Sequence, residues 1–171
     1  MNFLFQYLLI FSFLLFAGNN NIEEIKYVDA ESKEAMIKKV NRIRSTGCFC
    51  GKKYMPPAGE IIWNDTLFLS AMDHAKEMTR YNYFAHFSIR GEDIGQRLDK
   101  FGYDWLVAGE NLGEGQKSFD EVLNDWQDSY SHCKMLMNPK VNEMAVAYHG
   151  RFWVQHFGKK LPPNTKRIGR K

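Results

Sequence analysis

Cysteine is scarce in this chain. Its three residues, Cys48, Cys50 and Cys133, are too few for a disulfide framework. Their odd number leaves at least one thiol unpaired within a monomer. Cys48 and Cys50 are too close along the chain for an ordinary relaxed bridge to each other, while a bridge from either to Cys133 stays open. Two sharp hydrolase signatures, Gly-x-Ser-x-Gly and His-Glu-x-x-His, are absent. Leu15-Phe16-Ala17-Gly18 approaches a lipoprotein-type cleavage site, yet residue 19 is Asn19 where a cysteine would be needed. No thioether lipid can form there. Internal repeats and a second domain are missing too.

An apolar run covers residues 3–17, broken only by Gln6 and Ser12 and ended by Asn19, Asn20 and Asn21. It reads as an export signal; uncleaved, the same run would tether the chain to a membrane. It lacks an early Lys or Arg and is short for a full span. The expected organisation is a signal-like or anchoring segment at 1–18, a linker at 19–30, one domain at 31–158 and a basic tail at 159–171. That tail, with Lys159, Lys160, Lys166, Arg167, Arg170 and Lys171, supplies the net charge of +3; without it acids slightly outnumber bases. It can attract anionic polymers or lipid nonspecifically. No aromatic is interleaved with it, so no specific nucleic-acid partner is expected.

Periodicity predicts a helix over 31–45, with Met36, Val40 and Ile43 on one face. Glycines and prolines make 48–59 a loop. A second helix runs over 65–81 on Leu67, Ala71, Ala75 and Met78, capped by Asn64 or Asp65. His74 within it is a surface or packing histidine. A short helix falls inside 91–102, with Ile94, Leu98 and Phe101 on one side. Residues 109–113 read as glycine punctuation. Ser118 and Glu121 have capping-box spacing. Segments 144–149 and 151–157 read as adjacent strands around Gly150. Trp126 and Trp153 are packing groups before they are site walls.

Four short stretches in fixed order carry the chemistry: Tyr-Asn-Tyr-Phe-Ala-His at 81–86, Gly-Glu-Asn at 109–111, Trp-Gln-Asp-Ser-Tyr-Ser-His-Cys at 126–133 and Phe-Trp-Val-Gln-His-Phe-Gly at 152–158. They direct two histidines, a glutamate and several amides towards one polar site. In this combination the chain resembles the CAP superfamily (cysteine-rich secretory, antigen 5, pathogenesis-related), and within it the bacterial SCP-like extracellular branch. Val40-Asn41-Arg42-Ile43-Arg44 also resembles that family's first helix. The resemblance spans about residues 31–158. It implies an α/β fold, a three-layer α-β-α sandwich around a small, mainly antiparallel sheet. It implies an extracellular or bacterial cell-surface location.

The resemblance places His86, Glu110 and His132 at polar cleft positions; Asn111 in the Gly-Glu-Asn stretch and Gln155 on the last strand are expected to line the same region, chiefly as structural support. Two neutral imidazoles can hold zinc or another divalent cation, and Glu110 can ligate it, orient a metal-bound water or fix a histidine tautomer. Ser129 stands where the family carries a second glutamate, and it reads as a helix-end cap. This loss weakens the catalytic alternative, in which Glu110, His86 and His132 would run a divalent-metal-assisted hydrolase. His149 and His156 are left outside the primary site. The expected role is therefore binding, not catalysis, of an extracellular or cell-envelope ligand. Lipid is among the ligands the family permits. A structural surface protein without a small-molecule ligand is the third reading.

Overall fold

The computed structural model describes residues 30–165. The expected leader or anchor at 1–18, nearly all of the linker and the tail from 166 lie outside them. The elements run α1 Ala30–Thr46, β1 Cys48–Cys50, β2 Lys53–Met55, β3 Ile62–Trp63, α2 Asp65–Tyr81, α3 Ile94–Lys100, β4 Trp105–Glu114, α4 Phe119–Asp128, α5 Tyr130–Leu136, β5 Glu143–His149 and β6 Phe152–Lys160. Lys159 and Lys160, assigned to the tail from sequence, belong to β6.

The helix starts follow their caps. Asn64 accepts from the backbone N–H groups of Thr66 and Leu67 at 2.9 and 3.1 Å, satisfying two of the four orphan donors at the start of α2. Asp93 and Gln96 form a full capping box on α3. At α4, Ser118 accepts from Glu121 N–H, but the Glu121 carboxylate takes the N–H of Lys117 instead of closing the box on Ser118.

Two sequence expectations change. The segment 48–59 is not wholly a loop: β1 and β2 pair as an antiparallel hairpin, turned at Gly51 with φ +58°. Residues 109–113 are not punctuation but the middle of β4, which pairs with β6 from Glu114 back to Trp105. The glycines there serve close approach. A Cβ on Gly113 would stand 2.5 Å from Val122 Cγ2 of α4.

The main sheet has the order β3-β5-β6-β4, with β3–β5 parallel and the other pairs antiparallel. Strand alternation sorts side chains onto two faces. Ala145, Ala147, Phe152, Val154 and Leu112 pack against α2 and α3. Met144, Val146, Trp153 and Phe157 pack against α1, α4 and α5. The result is the expected α-β-α sandwich with two apolar cores, one on each side of the sheet.

Two polar residues of α1 stitch the layers. Asn41 exchanges two 2.9 Å hydrogen bonds with the Ile61 backbone, as a neighbouring strand would. The buried Arg44 donates to the carbonyls of Gly59, Leu136, Asn138 and Val141 at 2.6–3.2 Å. Cys50 is bridged to Cys133, which resolves the open pairing and ties the hairpin to α5.

Candidate functional site

Glu110 lies mid-strand in β4 and points to the α2–α3 face. Its side chain is 2 % exposed, so a charge there demands partners. Oε1 accepts from His86 Nδ1 at 2.7 Å. Oε2 accepts from the Arg97 guanidinium at 2.5 Å and from His156 Nε2 at 2.9 Å. His74 Nε2 stands 4.0 Å from the same oxygen, and donates to the Ala85 carbonyl at 2.9 Å. One carboxylate thus gathers α2, the loop after it, α3 and β6.

Arg97 does more than neutralise. Its second terminal nitrogen donates to the carbonyls of His86 and Glu92 at 2.8 and 2.9 Å. It therefore fixes the backbone of the loop that carries His86 as well as the acid that holds the ring. That loop presents its apolar side chains outward: Phe84, Phe87 and Ile89 are all exposed.

Burial would by itself raise Glu110, but the hydrogen bonds from His156 and His86, with the charge of Arg97, outweigh it and hold the carboxyl well below its usual range. The Glu110 hydrogen bond pushes His86 up, against its partial burial. Desolvation pulls His156 and His74 down, although Glu110 opposes it in both. The two buried rings are therefore neutral and act as hydrogen-bond donors. His86 is different. Its Nδ1–H is spent on Glu110, and its side chain is 57 % exposed.

His132, on α5, is partly buried. Desolvation lowers its proton affinity, and the charge of His86 lowers it further. The two rings are thus electrostatic neighbours, reached from opposite sides of the edge strand β4. Asn111 and Gln155 are not beside Glu110. They are one residue along from Glu110 and His156, so they point to the other face of the sheet. There Asn111 donates to Gln155 Oε1 at 3.2 Å and to the His132 carbonyl at 3.3 Å. Both are buried, and they support α5 from beneath.

Ser129 occupies the junction between α4 and α5. It is the expected helix-end cap: it ends α4, with its N–H on the Asp125 carbonyl, and stands at the N-cap of α5, but its hydroxyl makes no cap bond and approaches Ser131 Oγ at 3.4 Å. His149 bonds Thr79 Oγ1 near the β5–β6 turn, away from the network. His156, set aside from sequence, is at the centre of it. The alternation that separates it from Gln155 also delivers it to Glu110. His74, expected at the surface or in packing, is fully buried against the network. Arg97 was not singled out, yet it lies three residues after Ile94 and four before Phe101. A cation on the apolar side of a short helix signals a buried acid.

The donor set bears on metal binding. Glu110 stands behind His86, not beside it, in the manner of a carboxylate that orients a metal-binding imidazole. His86 and His132 supply two nitrogens, half of a tetrahedral zinc shell. Among the described residues, the three potential ligand side chains gathered within 4.8 Å of one another are Cys48, Cys50 and Cys133, two of which are bridged.

A small sheet between helical layers, with a histidine–glutamate network at its edge, defines a CAP-type domain. The chain belongs to the cysteine-rich secretory protein family, whose model matches residues 37–157. It is 34% identical over 96 residues to YkwD, an uncharacterized protein of Bacillus subtilis (strain 168), a stretch covering 55% of this chain and 37% of YkwD. The chain spans little more than a third of the length of the curated relatives it matches. Among solved structures it resembles an extracellular protein containing an SCP domain from Bacillus anthracis str. Ames, with TM-score 0.69 and 24% identity, over 84% of this chain and 45% of that one. It also resembles an outer surface protein from Borrelia burgdorferi, with TM-score 0.66 and 20% identity, over 77% and 95% respectively.

Proposed function

We propose that this chain is the CAP domain of an exported binding protein, whose ligand sits over His86 and His132. One observation carries the reading: both Glu110 oxygens are already engaged by His86, Arg97 and His156. A carboxylate held that far below its usual range has little proton affinity and makes a poor general base. The exposed group is the His86 ring, on a loop whose Phe87 and Ile89 are exposed too. A ligand with a hydrogen-bonding group beside an apolar portion suits that surface, and lipids of the extracellular space or cell envelope are one such class. Export rests on the apolar run at 3–17, and the extracellular and outer-surface proteins of similar fold agree with it. A screen of envelope extracts and lipids against wild type and a His86→Ala/His132→Ala variant tests this. Specific capture by wild type, lost in the variant while its circular dichroism is kept, is expected. Robust substrate turnover with no specific partner would overturn it.

A second reading is favoured by the Glu110–His86 contact itself. A histidine backed by a carboxylate is the usual arrangement of a metal ligand. In this reading His86 and His132 retain a divalent cation such as zinc, with water completing the shell, and act as an extracellular hydrolase. Metal analysis of untagged protein, followed by assays after chelation and restoration, separates the two. Equal ion retention by wild type and the double-histidine variant rejects the metal site.

A further inference from the structure

Residues two apart in a strand point the same way, so Cys48 and Cys50 share one side of β1. Cys50 is bridged to Cys133 of α5, 83 residues away. Cys48, the free thiol among the described residues, has its sulfur 3.6 Å from that of Cys133. All three sulfurs lie within 4.8 Å of one another. One strand therefore offers Cys133 two partners.

We propose that Cys48, Cys50 and Cys133 form an internal thiol–disulfide exchange site, in which Cys133 alternates between Cys50 and Cys48. The Cys48 thiol gives its proton to solvent, and the thiolate attacks the Cys133 sulfur. The Cys48–Cys133 bond forms as the Cys50–Cys133 bond breaks. Cys50 leaves with the electron pair and takes a proton from solvent. One disulfide and one thiol are present before and after, so no external oxidant or reductant is consumed.

Accessibility favours this internal route. Cys50 and Cys133 are fully buried, which shields their bridge from thiols in solution. Cys48 is half-buried and borders a cavity of about 530 Å³, lined also by Arg42, Thr46, Gly47 and Gln127. Displacement at sulfur runs in line with the bond that breaks. An ordinary disulfide bond of about 2 Å makes the three sulfurs a triangle and not a line, so the Cys48 side chain turns about its Cα–Cβ bond before attack. The cavity leaves room for that turn. Burial pushes the Cys48 thiol up, which makes exchange slow near neutrality and faster in base. Cys133 follows His132 directly, so the identity of the bridge bears on the helix that carries a site histidine.

The full chain, purified without reductant, is incubated at pH 7, 8 and 9, acid-quenched, labelled with a maleimide and peptide-mapped. Both Cys50–Cys133 and Cys48–Cys133 peptides are expected, with label on both Cys48 and Cys50. Their rate of equilibration should rise about tenfold per pH unit, following the thiolate fraction, and should not depend on protein concentration. Cys48→Ser should yield only Cys50–Cys133, with Cys50 unlabelled. Wild type that shows only Cys50–Cys133 and label on Cys48 alone at pH 9 overturns the proposal. So does a Cys48→Ser protein that labels Cys50 as fast as wild type, because exposure would then not depend on exchange.

Discussion

Arg97 and Glu110 meet at 2.5 Å with both side chains 2 % exposed. Neither charge has water to fall back on. The pair joins α3 to the edge strand of the sheet, and the same guanidinium holds the His86 carbonyl.

Removing one member should therefore be costly. Arg97→Met is expected to destabilise the fold by about 3–5 kcal/mol, because it strands a buried carboxylate. Adding Glu110→Gln should recover part of the loss, since the two residues are coupled. Urea unfolding of the two singles and the double measures this. A single-variant loss under about 1 kcal/mol, the range of an exposed pair, would show that the network does not depend on the ion pair.

Acid should weaken the protein in two stages. His74 and His156 have proton affinities held below the ordinary 6.5 by burial, so the unfolded chain binds protons first as pH falls through that value. Glu110 is held below its ordinary 4.5 by its hydrogen bonds, and its contribution is lost below that pH. His86, shifted upward, acts oppositely: it stabilises most below 6.5, and that contribution fades as pH rises through its folded value. It is largely exposed, so its part is small. Melting temperature should fall from pH 7 to 5, and less steeply in His156→Gln. A flat profile over that range would contradict the neutral buried histidines.

Arg44 donates to four carbonyls from two segments of the chain, Gly59 and residues 136–141. Arg44→Met keeps the bulk but leaves those oxygens buried without donors. A loss of about 3 kcal/mol or more is expected from several unsatisfied acceptors. Arg44→Lys should recover little, because one ammonium cannot span the fork of contacts. Thermal and urea unfolding report it, and a lysine variant as stable as wild type would refute the bridging role.

Gly158 of β6 faces the Tyr103 ring, where a Cβ would overlap the phenol. That phenol is not free to move, since its hydroxyl donates to Glu143 at 2.5 Å. Gly158→Ala should cost about 1–3 kcal/mol by overpacking, and the same replacement should cost less in a Tyr103→Phe background, which lacks the hydroxyl nearest that Cβ and its anchor on Glu143. Gly59→Ala, with open space around it, serves as the neutral control.

Much of the fold was legible because it is written in local patterns. Leu67, Ala71, Ala75 and Met78 repeat at helical spacing, and Asn64 supplies the cap. The β5–β6 pair shows as apolar runs around Gly150. β4 was missed because Gly109 and Gly113 resemble breakers when read locally. Each is instead a place where a side chain packed over the strand, Met135 or Val122, leaves no space for a Cβ. The β1–β2 hairpin was missed for a similar reason, its glycines at 47 and 51 marking turns into and within a short pair.

The candidate site divides along the same line. The resemblance of four short, ordered stretches to the CAP family pointed to His86, Glu110 and His132 as cleft residues. Only the tertiary structure decided their relations. Strand register set His156 opposite Glu110 and sent Asn111 and Gln155 to the other face. Folding of α3 across β4 brought Arg97 onto the carboxylate, and packing of the hairpin against α5 selected the Cys50–Cys133 bridge. Local patterns record which face of an element is apolar. They do not record which distant element covers it, and a buried charge is settled by that partner.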